Sequence, residues 1–121
     1  MMYDVPHPSW EGGPVTEQVV IILYFREEKA EEFERLFEAE ILPLRIRFKA
    51  EGKFHSASLA RIFDDHIQEG HRNYMLVVEV PSRKEHDEFD THSHFLEFLE
   101  KARAMQPEEP SVWLAEPLFR V

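Results

Sequence analysis

The chain contains no cysteine among its 121 residues, which excludes a disulfide framework, a thiolate metal site and a cysteine nucleophile. Its four glycines are not arranged as a phosphate-cradling loop. No stretch approaches the ~20 apolar residues that span a bilayer, so no membrane partner is expected. Basic residues are scarce: 14 Lys and Arg stand against 24 Asp and Glu, for a formal charge of −10. That balance weighs against nucleic acid, whose phosphates call for clustered cations. Met1 to Val15 lack the basic-then-apolar pattern of a secretion signal, so a cytoplasmic location is expected.

What is present is glutamate and phenylalanine. Most of the glutamates fall in two helical stretches and read as solvated helix faces. The ten phenylalanines supply a core for one domain, which a chain of this length can sustain without staples. Residues 1–16, with three prolines and Gly12-Gly13, read as an extended N-terminal arm. Residues 17–121 form the domain.

Glu17 to Phe25 reads as a strand apolar on both faces, hence central. Glu27 to about Lys49 is helical, with Phe33, Leu36, Phe37, Ile41, Leu44 and Phe48 at three- and four-residue steps. Arg45, Arg47 and Lys49 close it, as the helix dipole favours, and Pro43 predicts a kink. Phe54 to Phe63 and Asn73 to Val80 are two further strands, joined by a polar hairpin loop. Ser82 and Glu85 have the spacing of a capping box before a second helical region, which Thr91-His92-Ser93 threatens to break. Val112 to Val121 is the last strand, and Pro117 within it requires an edge position.

This order predicts an α+β, ferredoxin-like βαββαβ fold: a four-stranded antiparallel sheet with helices on one face. The first and third strands lie inside, the second and fourth outside. Two helices leave the other apolar face uncovered, which a second copy would hide across a two-fold axis. A homodimer is therefore expected.

The arrangement, with Val80-Pro81-Ser82 leading into His86-Asp87-Glu88-Phe89-Asp90-Thr91-His92-Ser93-His94-Phe95, resembles the dimeric α+β barrel superfamily. That superfamily includes the antibiotic-biosynthesis-type monooxygenases. Its haem-degrading branch carries an asparagine on the first strand and a tryptophan near the second helix. Here the one asparagine is Asn73 and no tryptophan lies near Pro81 to Phe95, so no haem is expected. Another branch oxidises phenols or quinols without a cofactor, and the resemblance implies the same absence of a cofactor here.

Such chemistry needs an apolar pocket with a few polar groups to bind and deprotonate a phenol. His86, Tyr24, Tyr74 and Arg61 are the candidate catalytic residues, with His86 as base. The bland alternatives are tyrosines in an amphipathic core and an edge-strand Arg61 paired with Glu79 or a helix glutamate. His94 and Asp90 are candidate ligand-binding residues, since His86, Asp90 and His94 recur at four-residue steps. Two imidazoles and a carboxylate can bind a metal. Eight residues cover ~12 Å of helix, however, too far for one ion, and no metal is expected. His66 and His71 near Asp64 and Asp65 read as an ordinary acidic hairpin tip.

Two functions follow. One is a small homodimeric oxygenase-like enzyme acting on an apolar, aromatic small molecule. The other is a non-catalytic dimer that binds a ligand or a protein partner. A cleft plugged by Phe33, Phe37, Phe89, Phe95 and Phe98 would favour the second.

Overall fold

The computed structural model describes residues 16–64 and 66–119, so the expected arm lies, but for Thr16, outside the described residues. Strand β1 spans Glu17–Arg26, β2 Ser56–Ile62, β3 His71–Val80 and β4 Ser111–Ala115. They form one antiparallel sheet in the order β2-β3-β1-β4. The two most apolar strands are thus central, and the chain has the α+β ferredoxin-like fold.

Side chains alternate across β1. Val19, Ile21, Leu23 and Phe25 are buried beneath the helices, whereas Val20, Ile22 and Tyr24 on the other face are half-buried. The register continues both faces into the neighbouring strands: Ile21 stands opposite Leu76 and Val112, and Ile22 opposite Met75 and Ser111. The helix-free face also carries Trp113, which is 63% exposed.

The first helical region begins as α1 (Glu27–Leu36), passes through a π-helical turn at Phe37–Ile41 and resumes as α2 (Leu42–Ala50). Pro43 lacks an amide hydrogen and crowds the preceding turn. The expected kink therefore takes the form of a widened turn just before it. One additional residue in a turn sets back the phase of all that follows by about 100°. This carries Arg45 from the flank of the apolar stripe onto its inward side.

The second region breaks where the sequence suggested. Helix α3 (Arg83–Asp90) ends at Thr91, whose hydroxyl donates to the Asp87 carbonyl at 2.8 Å. Helix α4 (Ser93–Met105) starts at His92, whose Nδ1 accepts the His94 amide at 3.2 Å.

Two expectations need correction. Ser82 does cap α3, but its hydroxyl donates to the Glu85 carboxylate instead of either side chain serving a backbone amide. The last strand stops at Ala115, so Pro117 lies beyond it. The edge position stands because, among the described residues, β4 pairs with β1 alone.

The core contains two aromatic groups. Phe25, Phe33, Phe37, Tyr74 and Phe98 gather under α1, with ring centroids 4.3–6.1 Å apart. Phe48, Phe54, Phe89 and Phe95 gather where α2, the approach to β2, α3 and α4 meet, at 4.7–5.4 Å. These separations suit tilted and edge-on ring packing.

Candidate functional site

Between the sheet and the second helical region the two aromatic groups do not fully close. They leave a cavity of about 40 Å³, walled by Val19, Ile21, Val78, Phe89 and Phe98 among others. Four polar residues also reach its wall: Arg45, His86, Asp90 and Gln106. The volume admits water but not an aromatic ring, since a cavity of about 150 Å³ is what holds benzene.

His86 is positioned by α3, one turn after Ser82, and is 5% exposed. Its Nδ1 lies 3.1 Å from Oε1 of Glu17, the first residue of β1. Its Nε2 lies 2.9 Å from Asp90 Oδ2, one turn further along α3. This second contact is an ion-pair distance without the alignment of a hydrogen bond. Glu17 is shared, because its Oε2 accepts Arg83 Nε at 3.2 Å. The result is a chain of alternating charge, Arg83–Glu17–His86–Asp90, buried except at the half-buried Arg83.

Burial pulls the His86 pKa down, but Asp90 and then Glu17 outweigh it and hold the imidazole above its ordinary value. A raised pKa makes His86 a stronger base, closer to the ~10 of a phenol, and one that is free only at higher pH.

Arg45 enters from the opposite side. Its guanidinium lies over Phe37 at 5.3 Å and over Phe89 at 5.6 Å, so it stands between the two aromatic groups. It is 6% exposed, and among the described residues its Nε and Nη1 make no hydrogen bond. Burial lowers its pKa to about 10, which leaves it charged at neutral pH. Gln106 adds a buried Oε1 without a partner.

The candidates singled out in sequence separate. His86 and Asp90 meet at the cavity. His94 does not join them, because the break at Thr91 and His92 turns α4 away; it is exposed and lines a separate groove with Arg47 and Glu97. Tyr24 lies on the helix-free face, its hydroxyl 2.6 Å from Ser111 Oγ. Tyr74 is buried under α1 and bonded to Glu34, and burial followed by that carboxylate pushes its pKa up to about 12. Arg61 is exposed on edge strand β2 and lines a surface hollow with Asp64 and Arg72. It is not beside Glu79, which stands opposite Ser56 and accepts from Gln18.

Two members of the site escaped the sequence. Glu17 reads there as the first residue of a strand. Arg45 reads as a charge at a helix end, and only Pro43 hints at the change of phase that buries it.

The fold and the cavity define a ferredoxin-like α+β protein with a small polar-edged chamber between sheet and helices. Among solved structures it is similar to a protein provisionally assigned as an antibiotic biosynthesis monooxygenase from Nitrosomonas europaea. That match has a TM-score of 0.71 at 12% identity and covers 88% of this chain and 94% of that one. A protein from Caulobacter crescentus with the same provisional assignment matches with a TM-score of 0.69 at 19% identity, covering 88% and 92%. A dimeric protein of unknown function and ferredoxin-like fold from Bacteroides fragilis matches with a TM-score of 0.62 at 17% identity, covering 84% and 95%. At such identities the likeness establishes the fold, and the resemblance read from the sequence holds at that level. No protein-family model matches the chain, and no curated protein matches it in sequence.

Proposed function

We propose that the chain is a small cytoplasmic homodimer that binds an apolar, aromatic molecule between its sheet and second helical region and oxidises it in an oxygenase-like reaction. The observation that carries this reading is the His86–Asp90 pair in the wall of a largely apolar cavity. In the reaction, a phenol plus O₂ gives a quinone plus water, so no external reductant is consumed. His86 takes the phenol proton through Nε2, the nitrogen whose contact with Asp90 is poorly aligned, while Glu17 fixes the ring through Nδ1. Because the His86 pKa is raised, kcat/KM rises as pH climbs through it. The fold similarity to proteins provisionally assigned as antibiotic biosynthesis monooxygenases supports the reaction class without naming the substrate.

The dimer rests on the apolar, helix-free face formed by Val20, Ile22, Met75, Val77 and Trp113, which a monomer would leave to water. The dimeric neighbour from Bacteroides fragilis has the same fold.

A second reading is favoured by the cavity's size. At about 40 Å³ the chamber is nearly plugged by Phe33, Phe89, Phe95 and Phe98, as a non-catalytic dimer would have it. A turnover screen of phenols and quinols under air, with oxygen uptake as the readout, separates the two. Turnover in the parent that is lost in His86→Gln supports the enzyme. A parent without turnover that nevertheless binds the same phenols supports the ligand-binding dimer.

A further inference from the structure

A buried arginine with idle donors is expensive. Isolated charges are held in protein interiors when they are paired, and two donor nitrogens without an acceptor add the desolvation cost of each. The rings of Phe37 and Phe89 offset part of this through cation–π attraction. Nε and Nη1 nevertheless remain without hydrogen bonds among the described residues.

Arg45 also occupies a boundary. It lines the inner cavity and, with Lys49, Ile46, Ser56 and Ser58, an outer groove of about 180 Å³ between α2 and β2. Among the described residues no acidic side chain lines that groove, although acidic residues outnumber basic ones by 24 to 14 in the chain. Two cations and apolar walls make a path suited to an anion attached to an apolar body. The acid at the inner cavity, Asp90, is already matched by His86.

We propose that Arg45 is the ligand-binding residue for a negatively charged oxygen group, a carboxylate or a phenolate, on an apolar molecule that enters along the groove between α2 and β2. This rests on the reading of the cavity as a ligand site and specifies which ligands it takes. The anionic group accepts an idle N–H of Arg45, at Nη1 or at Nε, which face different sides of the guanidinium, and the apolar body extends between the aromatic groups. As Arg45 moves toward the anion, the cavity and the groove become continuous, which resolves the mismatch between the small chamber and an aromatic guest. Gln106 Oε1, in the same cavity wall, is a further acceptor for a hydroxyl on such a ligand.

The test is calorimetric titration with naphthalene-2-carboxylate and its neutral isostere naphthalene-2-carboxamide, on the parent, Arg45→Met and Arg45→Lys. A charge-assisted contact should favour the carboxylate by about tenfold or more in the parent. Arg45→Met should abolish that preference while keeping carboxamide binding. Arg45→Lys should keep only part of it, because an ammonium lacks the planar fork. Titration with 4-nitrophenol distinguishes the two oxygen groups: a rise in phenolate absorbance on binding to the parent, absent in Arg45→Met, shows that phenolates are accepted. Carboxylate preference without that rise assigns the contact to carboxylates.

Equal binding of carboxylate and carboxamide by the parent overturns the role of Arg45 and leaves the ligand site standing. The parent's full preference retained in Arg45→Lys or Arg45→Met does the same. Binding of neither naphthalene, nor of 4-nitrophenol, overturns the ligand site together with this inference.

Discussion

The Glu17 carboxylate and the His86 imidazole, 69 residues apart in sequence, meet at 3.1 Å where β1 begins beneath α3. Each is about 5% exposed, so neither could be buried cheaply alone. Their contact ties the start of the sheet to the helix that bears the cavity's polar edge, and Arg83 reinforces it from the same helix.

Removing Glu17 should therefore cost more than a surface charge would. Glu17→Ala leaves His86 and Arg83 facing an empty position, and breaking a buried pair in this way typically costs about 3–5 kcal/mol. Urea unfolding should show a lower midpoint at an unchanged slope. A loss below about 1 kcal/mol would mean that Glu17 is no more than a surface partner.

The pH dependence of stability follows from the raised His86 pKa. A histidine whose pKa is higher folded than unfolded contributes its full stabilisation below the unfolded value of ~6.5 and loses it as pH rises through the folded value. The melting temperature of the parent should thus fall relative to that of His86→Gln as pH is raised from about 6.5. His92 works in the opposite sense. Burial and then Arg47 lower its pKa, and its Nδ1 must stay unprotonated to accept the His94 amide. His92→Asn, which keeps a capping acceptor, should be less sensitive to acidification below ~6.5 than the parent. Parallel curves for parent and variants would remove both assignments.

The fold was legible because apolar alternation in β1 and β3 continues on both faces, leaving little freedom in which strands lie inside. The break in the second helical region could likewise be read from Thr91 and His92. The site was only half legible. His86 and Asp90 share an uninterrupted helix, so their four-residue spacing translated directly into contact. His94 lies past the break, where that spacing loses its meaning. Arg45 was hidden for a subtler reason: sequence periodicity assumes one helical phase, and the π-helical turn at Phe37–Ile41 resets it.

The helix-free face gives a prediction about assembly. Ile22 is central there, with Met75 opposite it on β3. Light scattering of the parent should give twice the 14.4 kDa chain mass. Ile22→Glu puts a charge into the proposed interface and should restore the single-chain mass without unfolding the domain, because its side chain points away from the helix-covered core. A parent that is already monomeric at micromolar concentration would sink the dimer.

Among the described residues no three His, Asp or Glu side chains form a group able to hold a metal ion. Exhaustive chelation should leave the melting temperature unchanged. A fall of more than about 4 °C, the scale of a 1 kcal/mol loss in a domain of this size, would reveal a structural metal.

Arg45→Met provides the sharpest contrast between a residue that holds the fold and one that serves a ligand. The substitution keeps much of the side-chain volume, removes a buried charge and abolishes two unsatisfied donors. It forfeits the ring contacts to Phe37 and Phe89, worth about 0.5–2 kcal/mol. Replacing buried charge by apolar volume commonly stabilises by about 1–4 kcal/mol. The net expectation is a ligand-free protein more stable by about 1–2 kcal/mol, seen as a higher urea midpoint in the absence of any added ligand. Were Arg45 instead a structural pillar bridging the two aromatic groups, the same variant would unfold earlier than the parent. Destabilisation of the ligand-free protein would thus point to a structural role, whereas stabilisation would show that the chain carries this arginine at a cost to its own stability.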